Sequence, residues 1–247
     1  MATDWTAPID AYCERIDASF WSEPVNALSN AAFLVAAVLA FARWRRAGVS
    51  DRPALFLIGA VAVVGIGSFL FHTFANRWSR LADVIPIAVF IYGYFALVMR
   101  RFFGLGLAAS VGLTLAFVVF SFGFERAALL AFGPRGVEAT NGSVGYFPAA
   151  LALFAVGLAL IARGHGRDLA ARRRPAGQAL LVAACAFVVS LAFRTVDIAF
   201  CGPWPVGTHP LAYAQCGRPL HSPRGGHALS GSGALSCNKP VESSARP

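Results

Sequence analysis

Residues 53–74 read PALFLIGAVAVVGIGSFLFHTF, a run that contains no Asp, Glu, Lys or Arg. A helix needs roughly 20 consecutive apolar residues to cross the hydrocarbon core of a bilayer, so this run is long enough to span a membrane. Its apolar residues do not alternate with polar ones, as the strands of an outer-membrane barrel would require. The run therefore predicts a transmembrane α-helix.

Five further blocks of the same character lie on either side of this run, at residues 26–44, 81–99, 103–122, 146–162 and 178–200. Of the 247 residues, 57% are hydrophobic and only 13% are charged, and the mean hydropathy is +0.62. A soluble domain of this length would need more polar surface. We therefore predict an all-α fold, a polytopic membrane helix bundle with six legible transmembrane helices.

The regions outside the bundle differ in composition from each other. Residues 1–25 form an acidic segment whose charge is wrong for the start of a signal peptide. The transmembrane helical domain is expected to occupy residues 26–209. Residues 210–247 are rich in Gly, Ser, Pro and Arg, a composition that predicts a disordered tail.

Arginine is concentrated in the loops that follow the first, third and fifth spans. Because such loops remain cytoplasmic, the asymmetry predicts that the amino terminus lies outside. The net charge of +9 is then mostly a topology signal, and arginines divided among short loops do not indicate a nucleic-acid partner. The Ala-rich composition, with Lys239 as its one lysine, favours a bacterial source and hence an inner membrane.

Few polar residues lie within or at the ends of the spans, and each is a functional candidate because it is costly there. They are predicted to meet at the outer end of the bundle: Glu23, Asn26, Ser29, Asn30, Ser68, His72, Asp83, Asp197 and His209. Ser68 and His72 are four residues apart and share a helical face. Imidazoles and carboxylates in this arrangement indicate a divalent metal that activates water. Alternatively, His72 only hydrogen-bonds Ser68 or Asp83, and the asparagines and Ser29 only hold helices together.

Two of the five cysteines, Cys13 and Cys201, fall on the predicted outer side. They either form a disulfide, if that side is oxidising, or are two unrelated thiols. Cys185 lies inside the sixth span and is expected to be a small packing residue.

The pattern Glu23-x-x-Asn26-x-x-Ser29-Asn30, then Ser68-x-x-x-His72 and Asp83, then Asp197-x-x-x-Cys201 and His209, resembles the alkaline ceramidase family of the CREST superfamily. The resemblance covers roughly residues 10–209 and implies a seven-helix membrane hydrolase. Its expected reaction is hydrolysis of the N-acyl amide bond of ceramide or a related membrane lipid amide. It implies catalytic Zn²⁺ held by His72 and His209, with Ser68 and Asp83 as catalytic residues.

The resemblance also implies a Ca²⁺ ion, with a structural or regulatory role, in the acidic segment. Glu14 and Glu23 match its carboxylate ligands, and Asp10 and the carbonyl of Tyr12 complete the set. Hard oxygen ligands of this kind suit calcium. A solvated acidic stretch without an ion is the alternative reading. The resemblance pairs Cys13 with Cys201 in a disulfide that would tie this segment to the end of the sixth span.

The sequence departs from the family pattern after His209, where Tyr213 replaces the second histidine of a His-x-x-x-His pair. No seventh span can be built from residues 210–247, and the abrupt change indicates a frameshift or a sequencing error. Two functions follow, a zinc-dependent lipid amidase or a catalytically impaired, lipid-binding or receptor-like protein of the same fold. A channel or transporter is disfavoured because no inverted repeat or broken helix pair is legible.

Overall fold

The computed structural model describes residues 4–163 and 167–197 and confirms the all-α membrane fold. Within these residues, six helical segments are long and apolar enough to cross a membrane. The helices are α1 (Pro24–Ser29), α2 (Ala31–Ala47), α3 (Arg52–Phe74), α4 (Arg77–Arg101), α5 (Leu107–Glu138), α6 (Phe147–Ala162) and α7 (Arg167–Asp197). The first span consists of α1 and α2 together, and a 3₁₀ turn at Ser143–Tyr146 precedes α6.

The predicted spans correspond to these helices, with the largest difference at α5. Its apolar block was predicted to end at residue 122, but the helix continues to Glu138. The charged residues Glu125 and Arg126 end the apolar run without ending the helix, because both are compatible with helical backbone. The helix is kinked at Gly133, where φ is +68°, and the chain turns at Asn141 and Gly142 in left-handed conformation.

Close helix packing depends on glycine at two crossings. At Gly67 on α3, an added Cβ would lie 2.0 Å from the backbone oxygen of Ala82 on α4. At Gly177 on α7, it would lie 2.7 Å from the backbone oxygen of Gly157 on α6. Only glycine permits such backbone approach, which is a common device for packing helices in membranes. The bundle therefore contains two tightly packed helix pairs, α3 with α4 and α6 with α7.

The acidic amino-terminal segment lies on the turn between α3 and α4. The backbone N–H of Ile9 donates to the carbonyl of Ala75 at 2.7 Å, and that of Trp78 donates to the carbonyl of Trp5 at 3.2 Å. Asn76 and Ser79 form a reciprocal capping box that starts α4 at this point. We call this side of the molecule the amino-terminal end of the bundle.

At the opposite end of the bundle, Asp51 and Arg101 connect neighbouring helices. Both carboxylate oxygens of Asp51 accept from the Arg101 guanidinium, and Oδ1 also caps α3 by accepting from the Ala54 N–H at 3.0 Å. The Trp44 indole donates to the Asp51 carbonyl at 3.0 Å. The Arg101 hydrogen bonds hold the pKa of the Asp51 carboxyl below its ordinary value. The first three spans are thus linked at this end.

Large apolar side chains cover the outside of the bundle. Leu130 is 76% exposed and Val119 is 72% exposed, and many other Val, Leu, Ile and Phe residues of the helices are exposed as well. Such a surface is unsuited to water but is the normal surface of helices that face lipid.

Candidate active site

Ser68 and Asp83 are brought together by the α3–α4 crossing. Gly67 allows α4 to approach so closely that an added Cβ would lie 3.2 Å from the Cα of Asp83. The adjacent Ser68 donates its hydroxyl proton to Oδ1 of Asp83. Ser68 is buried, and both side chains line the cavity described below. The predicted proximity of these two residues is therefore present in the structure.

His72 lies one turn after Ser68, and the carboxylate of Glu23 orients its ring. The Nδ1 atom of His72 is 2.5 Å from Oε2 of Glu23. A carboxylate at Nδ1 favours the tautomer that carries its proton there, which leaves Nε2 with its lone pair for a ligand. The ring also packs against Tyr12, with a centroid distance of 4.7 Å.

Glu23 is buried between His72 and Arg15. Its second oxygen, Oε1, accepts from Nε of Arg15 at 2.5 Å, and only 2% of Glu23 and 5% of Arg15 are exposed. The same guanidinium donates through Nη2 to the backbone carbonyl of His72 at 3.0 Å. Arg15, Glu23 and His72 therefore form one charged, hydrogen-bonded network, which we call the Arg15–Glu23–His72 network.

Glu14 caps the first helix from a distant part of the chain. Its two carboxylate oxygens accept the backbone N–H groups of Val25 at 2.6 Å and Asn26 at 2.9 Å. These N–H groups belong to the first turn of α1, where no intrahelical partner is available. Burial raises the pKa of the Glu14 carboxyl, while the hydrogen bonds from Asn26 and Val25 oppose the rise.

The remaining polar residues of the first span bond locally. The Ser29 hydroxyl and the Asn30 amide both donate to the carbonyl of Asn26 at 2.8 Å. Ser29 is exposed, and Asn30 is buried against α3, where its carbonyl would lie 3.2 Å from a Cβ added at Gly65. This arrangement agrees with the alternative reading of these residues as groups that hold helices together.

Sequence reasoning did not single out Arg194, although a charged residue within an apolar span is a strong functional signal. Its Nη1 donates to the phenol oxygen of Tyr12 at 2.6 Å, and its Nε donates to the carbonyl of Asn141 at 3.0 Å. The guanidinium also lies over the ring of Tyr146, 5.7 Å from its centroid. Burial raises the pKa of the Tyr12 phenol to about 12, although Arg194 acts in the opposite direction, so this phenol remains protonated at neutral pH.

These polar groups lie at one end of a cavity of about 710 Å³. The cavity is bounded mainly by α3 and α4 on one side and by α6 and α7 on the other. Its polar end contains Tyr12, Ser68, His72, Asp83 and Arg194. Apart from Ser190, the rest of the lining is aliphatic and aromatic, and it includes Val98 and Leu180, which belong to a buried apolar cluster with Met99 and Leu160.

The length and lining of the cavity fit an apolar chain with one polar group. Asp83 and Val98 both line it, and the helix between them spans on the order of 20 Å. Cavities of this size and composition are typical of small-molecule sites, in which a few placed polar groups fix the orientation of an otherwise apolar ligand.

The chemistry of His72 fits a zinc ligand, because a carboxylate on one ring nitrogen is the usual support for a histidine that binds metal through the other. Among residues 4–163 and 167–197, His72 is the only histidine, and no three His, Cys, Asp or Glu side chains are arranged so that they could hold a metal ion. The second predicted zinc ligand, His209, and Tyr213 lie outside the described residues. The zinc site stays a prediction.

The predicted calcium ligands are less suited to their ion. Glu14 and Glu23 already direct their carboxylate oxygens at protein donors, and the Tyr12 carbonyl accepts from the backbone N–H of Arg15 at 3.2 Å. Asp10 is exposed and has a partner of its own. Calcium takes six to eight oxygen ligands, and each carboxylate oxygen of Glu14 and Glu23 already has a protein partner; the calcium site stays a prediction.

Cys13 is buried at the amino-terminal end, and its backbone N–H donates to Oδ2 of Asp197 at 2.8 Å. The acidic segment thus meets the end of α7, as the resemblance implied. Cys201 lies outside the described residues, so the disulfide stays a prediction.

Cys185 is an exposed free thiol on α7, not an interior packing residue. The reason is that its side of α7 faces away from the neighbouring helices.

The fold and the site together define a class, that of polytopic helical membrane proteins with polar side chains at one end of an apolar cavity. The model of the ceramidase family matches residues 5–217, so most of the chain is covered and the chain belongs to this family. Membership supports a ceramidase-like amide hydrolase acting within a membrane. The comparison with curated proteins finds no match, and neither does the comparison with solved structures.

Proposed function

We propose that this protein is a zinc-dependent hydrolase of the N-acyl bond of ceramide or a related lipid amide. The observation that carries the proposal is that Ser68, His72 and Asp83 share the polar end of a long apolar cavity. A lipid amide has the matching shape, with one polar amide group at the end of an acyl chain. The acyl chain would occupy the apolar part of the cavity, and the amide would lie beside His72.

Each polar residue then has a defined task. His72 and His209 would hold the zinc ion, with His72 oriented by Glu23. Bound zinc would act as a Lewis acid on the amide carbonyl and make water a better nucleophile. Asp83 would accept a proton from the attacking water and return it to the leaving nitrogen. Ser68, whose hydroxyl donates to Asp83 in the structure, would redirect this proton to the carbonyl oxygen as negative charge develops there.

The Ala-rich, lysine-poor composition supports a bacterial inner membrane location, and the arginine distribution supports an orientation with the amino-terminal end outside. In that orientation the polar end of the cavity faces the outer leaflet. The contact between Cys13 and Asp197 supports a disulfide from Cys13 to Cys201, because residue 201 follows four positions later and this side would be oxidising.

The decisive experiment measures zinc and hydrolysis together in the purified full-length chain. We expect one equivalent of zinc and release of fatty acid from a ceramide. The His72→Ala variant is expected to lose both, while His165→Ala, which lies between α6 and α7 in the sequence, is expected to keep both. Lipid binding without turnover and without zinc would contradict the proposal and favour the non-catalytic alternative.

A further inference from the structure

Arg15 is the basic residue at the centre of an otherwise acidic segment, and its guanidinium is buried. Nε donates to Oε1 of Glu23 at 2.5 Å, Nη1 donates to the carbonyl of Asp17 at 3.1 Å, and Nη2 donates to the carbonyl of His72 at 3.0 Å. These three acceptors come from the acidic segment, the start of α1 and the end of α3. A single cation therefore ties three parts of the amino-terminal end together.

The oxygen atoms that would bind calcium are directed at protein donors instead. Glu14 uses both carboxylate oxygens on the N–H groups of Val25 and Asn26, and Glu23 uses one on Arg15 and one on His72. A divalent cation beside Glu23 would also lie close to the Arg15 guanidinium. At such distances, and in a buried site, the repulsion between two cations is large.

We propose that the Arg15 guanidinium occupies the role that the family resemblance gives to calcium, so that this chain has an internal cation and needs no calcium at this site. Arginine suits the role because its guanidinium is always charged and presents several donors in a fixed plane. It neutralises Glu23, fixes the acidic segment against α3 and keeps the Glu23 carboxylate aimed at Nδ1 of His72. Arg15 is thus a positioning residue that acts through Glu23.

The role of Arg15 in positioning His72 rests on the proposed function, but the replacement of calcium by Arg15 does not. Calcium binding and thermal stability can be measured on protein that shows no hydrolysis at all. A failure of the proposed function would appear as missing turnover and missing zinc, whereas a failure of this proposal would appear as calcium binding by the unmodified chain.

In the first test, calcium is titrated into the full-length protein in detergent. Calorimetry measures binding, and the melting temperature measures stability. We expect no saturable binding, and a melting temperature that is the same in millimolar calcium and in a calcium-selective chelator. Saturable binding with a calcium-dependent rise of the melting temperature would overturn the proposal.

The second test removes the internal cation. Arg15→Ala leaves Glu23 buried with His72 as its remaining partner, so the melting temperature should fall by several degrees. Millimolar calcium should restore part of this loss, because an ion that binds only the folded state stabilises it. Arg15→Lys keeps the charge and should not respond to calcium. Arg77→Ala, an exposed arginine at the same end, is the matched control and should behave like the unmodified protein.

Absence of any calcium response in folded Arg15→Ala, together with an unchanged melting temperature, would overturn the proposal. If Arg15→Ala does not fold, Arg15→Lys decides, since a calcium response in that variant would show that a positive charge at this position does not exclude the ion, and this would overturn the proposal. Where turnover is measurable, calcium should raise kcat of Arg15→Ala at unchanged KM, a recovery that a merely structural role would not produce.

Discussion

Glu23 has a larger structural role in the candidate site than its position in the sequence motif indicates. It is almost completely buried, and each of its oxygens has one charged or polar partner, Arg15 on one side and His72 on the other. A buried carboxylate is tolerated only when it is paired in this way, so the pairing and the ring orientation of His72 are not independent. The Arg15–Glu23–His72 network therefore holds Nε2 of His72 available without help from the reacting lipid.

Asp83 is the residue whose substitution tests the proton-transfer role most directly. Asp83→Asn keeps an oxygen that can accept from the Ser68 hydroxyl but removes the basic carboxylate. We expect kcat for ceramide hydrolysis to fall by about 10²–10⁴-fold, the usual contribution of a general base, with little change in KM or melting temperature. Asp51→Asn at the opposite end is the control and should retain its kcat. A fully active Asp83→Asn variant would exclude Asp83 as the base.

Some of these residue-level relationships were accessible from the sequence and others were not. The spacing of Ser68 and His72 predicts a common helical face, because residues four apart are neighbours on any helix. By contrast, the contacts from Arg15 to His72 and from Arg194 to Tyr12 join residues 57 and 182 positions apart. No local pattern encodes such pairs, since they depend on how the helices pack.

At the level of helices, the crossing of α3 and α4 decides whether Ser68 can reach Asp83. Gly67 is the residue that permits this crossing, and any side chain there meets the backbone of Ala82. The backbone cannot yield as a flexible side chain could. A methyl group at this position must therefore separate the two helices or shift one along the other.

Gly67→Ala should destabilise the protein by about 1–3 kcal/mol, the usual cost of overpacking, and should lower the melting temperature by several degrees. Turnover should fall as well, because the hydrogen bond from Ser68 to Asp83 would be lengthened. Gly59→Ala on the same helix is the matched control, since no atom lies within 4 Å of the Cβ that it would add. Equal stability and activity of the two variants would contradict the role assigned to the crossing.

Helix positions were easier to predict than helix ends. The six apolar blocks correspond to six spans because the bilayer imposes both a length and a composition. The end of α5 was missed because hydropathy reports where apolar residues stop, whereas a helix stops where the backbone changes conformation, here after the kink at Gly133 and before the left-handed Asn141.

In the part of the chain that the structure describes, the two tightly packed pairs, α3 with α4 and α6 with α7, lie on either side of an apolar cavity, and the polar groups at one end give this cavity a direction. Hydrophobic patterning predicted that the spans would pack, but it did not predict a cavity, because a lipid-facing side chain and a cavity-lining side chain look the same in sequence. The depth of the cavity below Asp83 is therefore a property of the structure that can be tested separately from the chemistry.

Val156 on α6 lines the apolar part of the cavity, away from the polar residues. Val156→Phe should shorten the space for an acyl chain, so kcat/KM should fall about 10-fold or more for long-chain ceramides and remain nearly unchanged for short-chain ones. The size of the effect follows from the discrimination of about 1–3 kcal/mol that one extra methylene group in an apolar pocket produces between ligands. Leu158→Phe on the same helix is the control, because Leu158 is 58% exposed and faces away from the cavity. The comparison requires hydrolysis rates for a series of ceramides that differ only in acyl length. An equal loss for all lengths would mean that the acyl chain does not occupy this cavity, whereas a loss that grows with length places the chain along α6 with its amide at His72.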